Sequence, residues 1–197
     1  MAYELAKRTA DAEHKLATRD GLPARDGALL STRLQRRYAD RITGSFAIPG
    51  REGSYAPIPD NMPPALAAAL KARGIEQLYS HQAQAWDAAQ RGRHVAVVTP
   101  TASGKSLCYT LPVVSAAMQD KAKALYLFPT KALAQDQVAD LLELNRAGNL
   151  GVRAFTFDGD TPGDARQAIR LHGDIVVSNP DMLHQAILPH HTKWAQF

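Results

Sequence analysis

The chain has 197 residues, 45% of them hydrophobic, enough for one domain with a core and an additional tail. No apolar run approaches the roughly 18 residues of a membrane span, the opening MAYELAKRTADAEHK holds no apolar signal core, and the single Cys108 excludes an internal disulfide. These features predict a cytoplasmic protein with no membrane partner, and a net charge of +4 permits a nucleic-acid partner without requiring one.

Residues 1–45 are polar, with mixed charges and few large apolar side chains. Ala2 to Ala17 can form a helix. Arg33, Arg36 and Arg37 fall at i, i+3 and i+4, which makes one basic face if that stretch is helical. Such a face suits a phosphate backbone, or is a solvated terminus. Residues 46–64, FAIPGREGSYAPIPDNMPP, are rich in Pro and Gly and read as an extended linker. From residue 65 to 197 the pattern is that of a folded domain. Pro63-Pro64 opens a short helix over Ala65–Arg73, with Gly74 as its stop. Ser80 is placed to cap a helix running to about Arg91, with Gly92 at its end. That puts Gln82 in a first helical turn. Its amide carries an acceptor and two donors and can pair with adenine N6 and N7, or it is an ordinary helix glutamine.

The run His94-Val95-Ala96-Val97-Val98 leads into Thr99-Pro100-Thr101-Ala102-Ser103-Gly104-Lys105-Ser106. An apolar β-branched run followed by a small-residue loop ending in Gly-Lys-Ser has the layout of a phosphate-binding loop between a buried strand and a helix. The N–H groups of Ala102 to Ser106 would wrap a phosphate chain. Lys105 would place a charge at the β/γ-phosphates, and Ser106 would offer its hydroxyl to Mg²⁺. Thr99 stands where the loop's first Gly usually stands. Cys108 follows among apolar neighbours and reads as a packed core thiol.

Lys105 to about Met118 reads as a helix that Pro112 should kink or split. Lys123–Phe128 is a buried strand ending at Pro129-Thr130-Lys131, ahead of a helix from Ala132 to about Arg146. Val152–Phe157 is a third strand, ending at Asp158-Gly159-Asp160-Thr161-Pro162 before a helix to about Leu171. Asp174–Ser178 is a fourth, ending at Asn179-Pro180-Asp181-Met182. Repeated strand–loop–helix units predict an α/β fold, a parallel sheet with helices on its faces. Ligands of such sheets bind beyond the carboxyl ends of the strands, where every polar cluster of this chain falls. Asp158 and Asp160 could be Mg²⁺ ligands, but are expected to cap the helix after Pro162. His184, His190 and His191 lack partners at metal-binding spacing.

The order Gln82, TPTASGKS, FPTKALAQDQ, DGDTP and SNPDMLH resembles the first motor domain of superfamily 2 helicases, in the DEAD/DEAH-like group of bacterial and fungal DNA-repair helicases. The resemblance covers roughly Tyr55 to Phe197. It implies a partial RecA-like P-loop NTPase domain, preceded by the polar N-terminal arm, with ATP and Mg²⁺ as cofactors and single-stranded or partly duplex DNA as partner. Gln82 would read adenine, with Tyr79 against the base. Thr99, Ala102, Ser103, Gly104, Lys105 and Ser106 would form the ATP phosphate loop. Pro129, Thr130 and Lys131, then Asp160 and Thr161, then Asn179, Pro180 and Asp181 resemble three motifs that hold a single strand by its backbone.

In the family an Asp-Glu-x-His-type segment orders Mg²⁺ and activates water, and a second motor domain follows. These 197 residues contain no Asp-Glu pair. The expectation is an amino-terminal part of a helicase, with a gapped sheet and exposed apolar edges, that hydrolyses ATP no faster than its Lys105→Ala variant. Lys105-dependent turnover would overturn it. Two other readings stand beside this one: a P-loop tRNA prenyltransferase, which can share the string PTASGK, and a non-catalytic nucleic-acid-binding fragment.

Overall fold

The computed structural model describes residues 27–44 and 53–197, so the helix expected over 2–17 lies outside the described residues. The chain divides into two units, Met1–Arg51 and Glu52–Phe197. In the first, helix α1 (Gly27–Arg37) carries Arg33, Arg36 and Arg37 on its exposed surface.

The second unit opens with strand β1 (Tyr55–Pro57), helix α2 (Pro64–Ala72), strand β2 (Gln77–Tyr79) and helix α3 (Ser80–Gln90). Part of the expected linker is therefore a strand. β1 and β2 pair antiparallel, with Tyr55 opposite Tyr79. The ladder also moves the start of α3. The Ser80 N–H donates to the Ser54 carbonyl at 2.8 Å, and the extended residue at the helix boundary is Tyr79, not Ser80.

Helix α4 (Ser106–Asp120) runs continuously through Pro112, so the proline does not split it. Strand β3 (Ala124–Leu127), helix α5 (Lys131–Gly148), strand β4 (Ala154–Thr156), helix α6 (Gly163–His172) and strand β5 (Ile175–Ser178) follow. Helix α5 is capped by Thr130, whose hydroxyl accepts from the Leu133 N–H, and it ends at Asn149 in the left-handed conformation. Gly148 is the last residue of that helix. After β5 come a short helix α7 (Pro180–Met182), a π turn over Leu183–Ile187 and a 3₁₀ segment over Leu188–Trp194.

The sheet is parallel, in the order β3-β5-β4. Every residue of the central β5 is buried, as a strand covered on both faces requires. Alternation along β5 divides the core. Ile175 and Val177 join the cluster built with Leu66, Leu70, Trp86, Leu111 and Leu144 from α2, α3, α4 and α5. Val176 faces the other way, into Phe157, Ile169, Ile187 and Trp194. The three strands are also tied at their starts. Asp174, just before β5, accepts from Lys123 at 3.0 Å before β3, and from the guanidinium and backbone N–H of Arg153 before β4.

One expected strand is absent from the sheet. His94–Val98 is not a strand: residues 93–100 have no regular structure, and Val98 is 95% exposed. A strand exists only through a ladder partner for its N–H and C=O groups. Among the described residues the sheet offers this run none.

Candidate nucleotide and nucleic-acid site

The loop before α4 is built by backbone conformations that small residues tolerate. Ala102 has φ 60° and Gly104 has φ 73°. A Cβ at Gly104 would lie 2.6 Å from Gln82 Nε2, and its φ of 73° is one that L side chains rarely adopt, so a larger residue would strain the backbone and displace the glutamine. Thr99 Oγ1 and Ser103 Oγ lie 2.6 Å apart across the loop. The Lys105 ammonium donates to the carbonyls of Thr99 at 2.9 Å and Pro100 at 2.7 Å, which curls the loop around its own lysine. Ser106 is the first residue of α4. A half-buried ammonium, a hydroxyl and a helix start are thus together in one loop, and this donor set suits a phosphate chain with its divalent cation.

Gln82 is 3% exposed and joins this loop to the β1–β2 ribbon. Its Oε1 accepts from the Tyr79 N–H at 2.9 Å, and its Nε2 donates to the Gly104 carbonyl at 2.8 Å. The Tyr79 ring edge lies 3.6 Å from the Cβ position of Gly104. Tyr79 and Gln82 therefore stand against the phosphate loop. Tyr55, which no spacing pattern singled out, stacks on Tyr79 with ring centroids 5.0 Å apart. Only the antiparallel register of β1 and β2 brings it there.

The other candidate residues lie after the carboxyl ends of the three parallel strands, as a parallel sheet dictates: Pro129 to Lys131 after β3, Asp160 and Thr161 after β4, Asn179 to Asp181 after β5. Asn179 caps its short helix by accepting from the Met182 N–H at 2.8 Å. Lys131 and Asp160 join the first two loops in an ion pair of 2.6 Å. Hydrogen bonding between them and the opposite charge raise the Lys131 pKa and lower that of Asp160.

The expectation that Asp158 and Asp160 cap α6 is corrected. The residue at the helix boundary is Pro162, with no side-chain cap. Asp158 Oδ1 instead accepts from the Asp160 N–H at 2.9 Å and from the Thr161 hydroxyl at 3.2 Å, closing its own loop. Thr161 Oγ1 in turn accepts from the Asp158 N–H at 2.9 Å. The loop is further held by Arg166, whose guanidinium donates to the carbonyls of Thr161, Asp158 and Gly159 and lies over the Phe157 ring. Arg166 was not visible as a site residue, because an arginine inside an amphipathic helix carries no local signal for a carbonyl clamp. Cys108 is buried, and burial raises its thiol pKa. No group of metal-binding side chains occurs among the described residues, and no helix among them is long and apolar enough to cross a membrane.

A parallel sheet with its polar loops at the carboxyl ends and a Gly-Lys-Ser loop opening a helix defines a P-loop nucleotide-binding architecture. The family pattern of DEAD/DEAH box helicases matches residues 79–196, and the chain belongs to that family. It is 52% identical over 156 residues to the ATP-dependent helicase YprA of Bacillus subtilis, covering 79% of this chain and 21% of that protein. It is 42% identical over 153 residues to the ATP-dependent helicase hrq1 of Schizosaccharomyces pombe, covering 76% of this chain and 14% of that one. The crystal structure of the DUF1998 helicase MrfA bound to DNA and AMPPNP superimposes with a TM-score of 0.71 at 52% identity, over 73% of this chain and 20% of that one. The chain thus spans between about a seventh and a fifth of the length of these relatives. The family match decides against the prenyltransferase reading.

Proposed function

We propose that this chain is the ATP- and DNA-gripping part of an ATP-dependent DNA helicase. ATP binds with its phosphates at Ala102 to Ser106, its charge met by Lys105, its Mg²⁺ by the Ser106 hydroxyl, and its base by Tyr79 and Gln82. A single DNA strand lies across the loops Pro129–Lys131, Asp160–Thr161 and Asn179–Asp181, held through its backbone. The observation that carries the reading is the Gln82 bridge, which seats the base-side tyrosine directly on the phosphate loop. The relatives support it. The MrfA structure holds DNA and an ATP analogue, and further relatives 30–35% identical are ATP-dependent DNA helicases of the Hel308 type.

For a triphosphate to be gripped, the Lys105 ammonium must exchange the Thr99 and Pro100 carbonyls for phosphate oxygens, a charge-assisted replacement of neutral acceptors. Titration of the 197-residue chain with a fluorescent ATP analogue in Mg²⁺ is expected to show saturable binding. Lys105→Ala is expected to weaken it by at least tenfold, with binding of single-stranded DNA retained. Equal binding by the two proteins would overturn the assignment.

A further inference from the structure

Lys131 is an odd residue for its position. It is the first residue of an 18-residue helix, where the exposed N–H groups and the helix dipole already carry positive charge. A lysine there raises that field and calls for an anion. Within the chain the anion is the Asp160 carboxylate, at 2.6 Å, from a different loop. Asp160 is not placed there by the ion pair alone. Asp158 Oδ1 holds its backbone N–H, and Arg166 grips the carbonyls on both sides of it, at Gly159 and Thr161. The carboxylate is presented by a loop whose shape is set independently. The pair is also exposed, with 50% of the Lys131 side chain and 82% of the Asp160 side chain open to solvent. An exposed ion pair is weak, and a phosphate of higher charge can displace its carboxylate.

We propose that Asp160 is an internal competitor for the DNA phosphate at Lys131: its carboxylate occupies the lysine in the free chain and is exchanged for a backbone phosphate when a strand binds. This inference rests on the nucleic-acid reading of the strand-end loops. It changes the role of Asp160 within that reading, from a residue that touches DNA to one that sets how tightly and how selectively Lys131 does. The competition lowers affinity for any anion too weak to take Lys131 from Asp160. It also links the loop after β4 to the start of α5 only while DNA is absent.

The test is fluorescence anisotropy of a labelled oligo-deoxythymidylate titrated with the full 197-residue chain over a range of salt. Asp160→Asn is expected to tighten binding about three- to tenfold, and to steepen the salt dependence by the equivalent of about one further phosphate contact. Lys131→Ala is expected to weaken binding, and the double variant to match Lys131→Ala. Asp164→Asn, which removes an exposed carboxylate outside the pair, is expected to have much the smaller effect. If Asp160→Asn weakens or does not change binding while Lys131→Ala weakens it, the competitor role fails and the nucleic-acid reading stands. If Asp164→Asn tightens binding as much as Asp160→Asn, the effect is bulk charge and the inference also fails. If neither Lys131→Ala nor Asp160→Asn moves binding, the reading of these loops falls with it. Circular dichroism melts check folding. Since the Asp160 side chain is exposed and Lys131 is its one side-chain partner among the described residues, the asparagine variant is expected to melt with the parent chain.

Discussion

At the residue scale, the group with the clearest energetic role is Asp174. Burial opposes its ionisation, but hydrogen bonds from the Arg153 side chain and backbone and from Lys123 outweigh this and hold its pKa at about 2. The folded-state pKa lies below the unfolded value of about 3.9. Its stabilisation is therefore complete at neutral pH, and is lost as the pH falls through 4 toward 2. Asp174→Asn is expected to cost about 2 kcal/mol at pH 7, and the difference from the parent to shrink below pH 4. Urea melts at the two pH values check it. A constant difference would mean that Asp174 acts through packing. The residue belongs to the scaffold and not to the candidate site: it lies at the amino ends of the strands, away from the candidate loops at their carboxyl ends.

At the scale of elements, the contact between α2 and α5 is set by small residues. A Cβ on Gly148 would lie 2.7 Å from the Ala69 Cβ, 2.9 Å from the Ala65 carbonyl and 2.6 Å from Leu150 Cδ2. Helix propensity alone favours alanine over glycine by about 1 kcal/mol. Overpacking against the backbone of α2 is the larger effect, so Gly148→Ala is expected to destabilise by about 1–2 kcal/mol net. A rise in melting temperature would show that α2 can move away. This contact anchors the far end of α5, while the near end carries Thr130 and Lys131. The fold thus positions one candidate loop by packing glycine against alanine at the other end of the same helix.

At the scale of the molecule, the core lies around β5 and the candidate phosphate loop is joined to it, among the described residues, through α4 and the Gln82 bridge. The run ahead of the loop contributes nothing to the sheet among the described residues. Val98→Ser is therefore expected to change stability by less than about 0.5 kcal/mol, whereas Val177→Ala, in the centre of β5, is expected to cost about 2 kcal/mol. Denaturant titration of the two variants distinguishes them. Comparable losses would place Val98 inside a formed strand.

Much of this organisation is local and could be read from residue patterns. Strand–loop–helix periodicity located β3, β4 and β5 and the helices between them, because a parallel strand buried on both faces must be an apolar run. Gly-Lys-Ser located the candidate phosphate loop, because that string after a run of small residues marks a tight turn into a helix start. Pairing partners were not legible. The short ribbon β1–β2 hides in a Pro-rich stretch, since an antiparallel bridge of three residues leaves no periodicity. His94–Val98 carries the residue pattern of a strand and is not one here, since pattern supplies apolar side chains while only a neighbouring strand supplies hydrogen bonds. The candidate site residues divide in the same way. Lys105 and Gln82 were read from chemistry and spacing, and the three strand-end clusters from their positions after strands together with the family resemblance. Tyr55 on Tyr79, Arg166 over three carbonyls and Asp160 on Lys131 are contacts between segments far apart or between loops, and only the tertiary structure decides them.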